Sequence, residues 1–222
     1  MKNQLINASS LVAIALFPSL SFADEPVQEE KNKFYIGAEY GIHDVDSDYE
    51  PIVNGSELKP KSDSGFWGVY GGYNISEVWG VELSYTEFSL DAEQEKGWDD
   101  STLEHDKDWN ADLNAKSIAI MPTYQYSLQQ DWNLKAGLGV SYTEYDASSN
   151  YRYTTEDHIT DAEQLVDAEL GPSEKEKEVG IIGLVAVNYL INDDFSVGAR
   201  LKYMADGYAL TSTASLSAMY AF

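Results

Sequence analysis

The chain contains no cysteine. A disulfide framework, a zinc–thiolate site and a cysteine nucleophile are therefore excluded, and so is a lipoprotein anchor, which needs a cysteine at its cleavage site. Basic residues are scarce: 14 Lys and Arg stand against 38 Asp and Glu, for a formal charge of −24. So acidic a chain repels phosphate backbones, which excludes nucleic acid as a partner. Long apolar runs are missing too, since nothing approaches the ~18 residues that a membrane helix needs. The apolar run LVAIALF follows Lys2 and precedes Ser21-Phe22-Ala23, which is small at both positions that a signal peptidase reads. Residues 1–23 read as a secretory signal peptide cleaved after Ala23, and 24–33 as a short periplasmic lead-in. Losing Lys2 with the signal takes the charge from −24 to −25.

What the chain does have is alternation. From Leu210 to Phe222, the residues Leu210, Ala214, Leu216, Ala218, Tyr220 and Phe222 interleave with Thr213, Ser215, Ser217, Met219 and Ala221. A period of two puts one set on each face of a strand. Seven earlier segments repeat the pattern: Phe34–Ile42, Gly65–Tyr73, Trp79–Leu90, Lys116–Tyr126, Trp132–Tyr142, Val179–Tyr189 and Phe195–Met204, with Thr211–Phe222 as the eighth. Each is near the ~9–11 residues with which a tilted strand crosses a bilayer. Two segments depart from the pattern. The sixth is apolar on both faces, and Pro122 inside the fourth predicts a bulge, because proline cannot donate to a ladder.

Connections and aromatics carry the reading further. Links of a few residues after Asn74, Tyr126 and Leu190 alternate with long polar ones, and among the outer links only Ala205–Ala209 is short. Phe34, Tyr73, Trp79, Tyr126, Trp132, Tyr189, Phe195 and Phe222 mark the short-turn end, and Tyr40, Trp67, Tyr85, Tyr142 and Tyr203 the other. At ~3.3 Å per residue and about 40° of tilt, the span from Trp132 to Tyr142 is about 25 Å, the height of an apolar band between aromatic girdles. A soluble lipocalin-like barrel would alternate equally but turn its apolar face inward and carry many charges outside. Here the polar face is mostly Gly, Ser, Thr and Ala, which suits a crowded lumen. The fold class is all-β, an eight-stranded antiparallel up-and-down transmembrane β-barrel over residues 34–222, with short periplasmic turns and long extracellular loops.

Signal peptide, eight strands, paired girdles and a terminal Phe together resemble the small eight-stranded bacterial outer-membrane proteins, the OmpA transmembrane-domain, OmpX and OmpW-like group. The resemblance implies an integral protein of the cell outer membrane, bathed in lipid and lipopolysaccharide, with adhesion, colonisation or envelope integrity as its role. It implies that Leu216, Ala218, Tyr220 and Phe222 form the C-terminal signal read by the barrel-assembly machinery. With the chain stopping at the eighth strand, it implies no periplasmic peptidoglycan-binding domain, and no enzyme or cofactor. A narrow solute channel is the alternative, and a lipid A-modifying or proteolytic enzyme a more distant one.

The few inward charges are Glu39, Glu82, Lys135, Arg200 and Lys202. Glu82 and Lys135 each lie three residues from a girdle Trp, and Glu39 and Arg200 each five from a girdle Phe. Opposite signs at matched depths predict ion pairs that fill the lumen, because an isolated charge there would be costly. The long connections Ile42–Ser64, Ser89–Asn114 and Glu144–Glu178 carry net charges of −4, −7 and −8, and Asp206 brings that rim to −20. Such a crown screens itself with cations and presents a surface for an extracellular ligand or host surface. Asp44-x-Asp46-x-Asp48 has the spacing of a calcium-loop opening, without its turn Gly or distal Glu, and makes divalent cations a candidate partner. His43, His105 and His158 fall one in each long loop. Tyr142, Tyr145, Tyr151 and Tyr153 extend the fifth strand's aromatic pattern past the membrane, as if a hairpin protrudes whose edge could pair with a partner.

Overall fold

The computed structural model describes residues 33–222, apart from Asp63 and Gln130. The signal peptide and all of the lead-in but Lys33 lie outside the described residues. The elements are β1 (Phe34–Ser47), β2 (Ile52–Val53), β3 (Ser56–Glu57), β4 (Phe66–Asn74), β5 (Trp79–Asp99), β6 (Leu103–Gln129), β7 (Trp132–Asp157), β8 (Glu163–Leu170), β9 (Glu174–Leu190), β10 (Phe195–Ala205) and β11 (Ala209–Ala221). Eight of them close a ring in the order β1-β4-β5-β6-β7-β9-β10-β11, with β11 returning to β1 from Tyr35↔Ala221 to Ser47↔Ala209. All pairings are antiparallel.

Alternation sets the two faces. Along β1 exposed and buried residues alternate from Phe34 to Tyr40, and the large apolar side chains Ile36, Leu83, Ile118, Ile120, Leu138, Val140, Leu201 and Leu216 all point outward. An outward apolar band bounded by Phe34, Trp132 and Tyr189 at one end and Tyr40, Trp67 and Tyr142 at the other is a lipid-facing surface, not a soluble one. Short-turn side chains supply the local reason for reversal. Ser76 Oγ accepts from the Trp79 amide at 3.1 Å, and Asn192 Oδ1 accepts from the amides of Asp194 and Phe195 at 3.0 and 2.8 Å.

Two expectations need correcting. The long connections are mostly not irregular: β5, β6, β7 and β9 continue unbroken past the aromatic row, and β6 runs from the girdle near Ser117 to Leu103, on the order of 45 Å along the strand. The continuation is possible because inward positions stay apolar there (Leu90, Leu113, Ala115, Ala147), so the same period of two still has a face to bury. Pro122 produces no bulge. Its ladder to β5 pairs it with Val81, and the ladder to β7 skips Met121 and Pro122 but resumes at Thr123↔Gly137 in unchanged register. Proline costs a bond there, not an inserted residue; the irregularity lies instead at Ser127/Gln129. Asp44 and Asp46 stand on β1, and Asp48 lies at the bend just past it. No metal-holding group of three or more His, Asp or Glu occurs among the described residues.

The upper part of the ring is uneven. β4, β10 and β11 stop near the aromatic row, whereas β5, β6, β7 and β9 rise as a four-strand wall. β7 exchanges partners on the way, pairing with β9 up to Ala147↔Glu174 and with β8 from Asn150↔Leu170 to Glu156↔Glu163. Residues 48–62, including the small β2–β3 hairpin, fold over the base of the wall's inner face as a cap. Tyr49, Val53 and Leu58 of the cap are buried with Phe66, Leu90, Trp109, Leu113 and Tyr151, in one hydrophobic core that continues down into the lumen through Ala119, Met121 and Leu184.

Candidate functional site

The lumen carries a closed charge network. Glu82 is 3.3 Å from Lys135 and ion-pairs with the Arg200 guanidinium; Arg200 Nε lies 3.1 Å from Glu39 Oε2, and Glu39 pairs with Lys202. The structure thus brings all five inward charges into one cluster, with Arg200 bridging the two carboxylates. Hydroxyls complete it: Tyr35 donates to Glu82 at 3.0 Å, Ser215 to Glu39 at 3.0 Å, and Lys202 to Thr86 at 2.8 Å. Arg200 lies 3.7 Å from the centre of the Tyr70 ring and the Lys135 ammonium 4.0 Å from that of Tyr35. Burial is nearly total, with Glu82 at 0% exposure and Lys135 and Arg200 at 1%. Above the network a cavity of about 20 Å³, lined by Ser84, Thr86, Ser117, Lys202, Thr211 and Thr213, has room for about one water.

Tyr35 and Tyr70 escape a reading that looks only for charges. Their signal is the glycine opposite each: Tyr35 pairs with Gly72 and Tyr70 with Gly37 across β1 and β4, and a Cβ at either glycine would come within 2.3 Å of the facing ring. Both rings therefore lie flat over glycine and reach the ions from the wall.

Above the lumen, the wall's inner face ends in a tied aromatic group. Trp98 stacks on His105 with ring centres 4.8 Å apart, and Tyr153 lies 5.8 Å from Trp98. His105 Nδ1 is 2.8 Å from Tyr153 Oη and Nε2 is 3.0 Å from Asp100 Oδ2. Asp100 Oδ1 also accepts from the amides of Thr102 and Leu103, so His105 and the turn together hold its carboxyl well below the usual carboxylate range. His43, by contrast, faces the cap core, its Nε2 3.0 Å from Ser89 O and its ring against Phe66 and Phe88. His158 sits at the β7–β8 turn. The three histidines occupy three separate environments.

The outer side of the wall is acidic toward its tip. Asp91 faces Asp112 directly across β5 and β6, and burial together with this neighbour pushes the Asp112 carboxyl up from its ordinary value. Every residue of β8 is exposed, and β8 is the last strand of its sheet, with one edge unpaired among the described residues. Leu216, Ala218 and Tyr220 point outward from β11 and Phe222 follows its end, stacked with Phe34 at 6.2 Å.

Comparison with known proteins is consistent across the chain. The sequence profile of the outer membrane protein beta-barrel domain matches residues 9–222. Ail, the attachment invasion locus protein of Yersinia pestis, solved in complex with the heparin analogue sucrose octasulfate, is 16% identical; the alignment covers 87% of this chain and 100% of that one, with a TM-score of 0.51. Neisserial surface protein A is 14% identical over 85% of this chain and 97% of that one, with a TM-score of 0.49. No curated protein matches in sequence. At such identities the likeness is one of fold.

Proposed function

The chain belongs to the outer membrane protein beta-barrel domain family, and from that premise we propose that it is a non-enzymatic surface protein of the outer membrane, displaying an acidic wall for attachment or envelope integrity. The observation that carries this reading is the four-strand wall with the open edge of β8. Backbone groups on such an edge can add a strand from a partner, and Glu163, Asp167 and Glu169 along it favour a partner rich in Lys and Arg. Ail was solved with a polysulfated sugar; the acids here oppose such a ligand and support a cationic one. The C-terminal residues Leu216, Ala218, Tyr220 and Phe222 are proposed to serve the assembly machinery during insertion.

The test is attachment of cells that display the protein to surfaces coated with poly-lysine or with a polysulfated glycan. Replacing Glu163, Asp167 and Glu169 by Lys should abolish poly-lysine attachment while leaving the folded barrel's gel mobility unchanged. Attachment that survives charge reversal rejects the reading. The channel alternative is addressed by liposome swelling: the Glu39–Arg200–Glu82 network supports a closed lumen, and swelling above that of protein-free vesicles would favour conduction. Among the described residues, the chain Asp100–His105–Tyr153 is a grouping that would suit an envelope enzyme, and lipid A mass spectra of a deletion strain test it.

A further inference from the structure

Acids and bases in the upper wall part company by face. Along β5, Glu93-Gln94-Glu95-Lys96-Gly97-Trp98-Asp99 puts every carboxylate on one parity, and along β6 Glu104-His105-Asp106-Lys107-Asp108-Trp109 does the same. The other parity buries Leu90 and Leu113 lower on these strands, and on it Gln94 accepts from Ser56 of the cap at 2.6 Å. It therefore faces inward, and Tyr151 and Tyr153 continue it on β7. Between the levels of Ala111 and His105, the inward positions of β5, β6 and β7 carry aromatic rings, Lys96 and Lys107, and no acid.

Lys96 stands directly opposite Lys107 across the β5–β6 ladder, an arrangement in which like charges oppose strand pairing. Lys59, Lys116, Arg152, Lys175 and Lys177 each have a carboxylate within 4.0 Å. Lys96 and Lys107, like Lys61 of the cap, have none among the described residues. The Lys107 ammonium instead lies 5.0 Å from the centre of the Tyr153 ring and 5.4 Å from that of Trp98, positioned by the rings and not neutralised. Trp98 is the next inward residue after Lys96 and remains 40% exposed. His105 stacks on one side of it, tied in turn by Asp100 and Tyr153. On the other side β5 has no neighbouring strand above the Lys61–Asp91 bridge, among the described residues. Folding alone gives no reason for two unneutralised ammonium groups beside an open indole; an anion between them does.

We propose that Lys96, Lys107 and Trp98 bind an acidic sugar, carrying a single carboxylate, at the end of a glycan. The two ammonium groups share the carboxylate, and the apolar face of the sugar ring lies against the indole. Asp167 and Glu169, which β8 sets beside Tyr153 and Tyr151, border the site and suit sugar hydroxyls as acceptors. Charge selects this occupant twice over. The unpartnered lysine pair fits one carboxylate, whereas the acids on β8 and on the outward parity repel a chain that carries many anionic groups. The site lies on the face opposite the outward acids and does not use the open edge of β8, so it stands apart from the reading above.

The experiment titrates methyl glucuronide and methyl glucoside, which differ by a carboxylate in place of a hydroxymethyl group, into the folded, full-length mature protein in neutral detergent micelles. Binding is read by saturation transfer to the sugar protons. The glucuronide should bind about tenfold more tightly than the glucoside at low salt, and a K96Q/K107Q variant should lose that preference. Trp98→Ala should weaken both sugars. Equal binding of the two sugars by the wild type, or a preference that survives in the variant, overturns the proposal. Benzoate that binds as tightly as the glucuronide overturns the sugar assignment. Lys96 is exposed and unpaired, so K96Q alone spares the fold, as an unchanged gel shift would verify, and carries the test should the double variant fold poorly.

Discussion

A buried charge is tolerated only in company, and the lumen residues show how strictly that holds. Glu82 compensates both Lys135 and Arg200, so Glu82→Ala leaves Lys135 without a carboxylate and Arg200 with Glu39 alone, which Lys202 already shares; breaking a buried pair costs about 3–5 kcal/mol. The expected result is a lower unfolding temperature in detergent with no rise in small-solute uptake by liposomes, because the side chains of Lys135, Arg200, Tyr35 and Tyr70 still fill the bore. A large conductance in the variant would contradict this. Asp112 is the opposite case. Its carboxyl is raised in the folded state, so the charged form is disfavoured by folding, and stability contributed by this group increases as pH falls through the raised value toward the unfolded one. Asp112→Asn should therefore raise the unfolding temperature at pH 7, with the gain shrinking on acidification toward pH ~4. The five inward charges were legible in the sequence because each interrupts a run of small polar residues on one parity. That Arg200 would serve both Glu39 and Glu82 was not, since it depends on barrel stagger and on the space that Gly37 and Gly72 leave for tyrosine rings.

At the level of elements, the bilayer-crossing parts of all eight strands can be read from alternation and aromatics, and their upper ends cannot. Acidic residues at most second positions between Leu90 and Asp99 and between Leu103 and Asn114 read as polar loop, yet the intervening Ala92, Trp109 and Ala111 turn inward and pack into the buried cluster. Whether such a mixed stretch becomes strand depends on having something to cover that face, and the cover comes from residues 48–62, distant in sequence. The cap is thus part of what keeps the wall ordered. Val53, fully buried between cap and wall, tests it: Val53→Asp should expose residues 48–62 to proteolysis and weaken amide-exchange protection in the upper wall, with the barrel's gel mobility unchanged. Protection that stays intact across the upper wall would show that the strands hold without their cover.

For the molecule as a whole, hydrogen bonding is circular although the chain is linear. Seven of the ring's eight seams join strands that follow one another around the barrel in chain order, so within the ring only the seam between β1 and β11 pairs strands from opposite ends of the chain. At that seam the ends are already in register: the Phe34 amide donates to Phe222 O at 3.1 Å and the Phe222 amide to Phe34 O at 2.8 Å. A cylinder of this kind can be cut at another short turn. Joining Phe222 to Phe34 through a short linker and opening the chain between Asn192 and Asp194 should give a permutant of residues 34–222 that refolds in detergent with the heat-dependent gel shift of the parent. In that permutant the Leu216–Phe222 sequence becomes internal. The last strand's part in closing the cylinder would then be separated from its proposed part in recruiting the assembly machinery, and a permutant that refolds in vitro yet fails to reach the outer membrane of a cell would assign the two roles to the same residues.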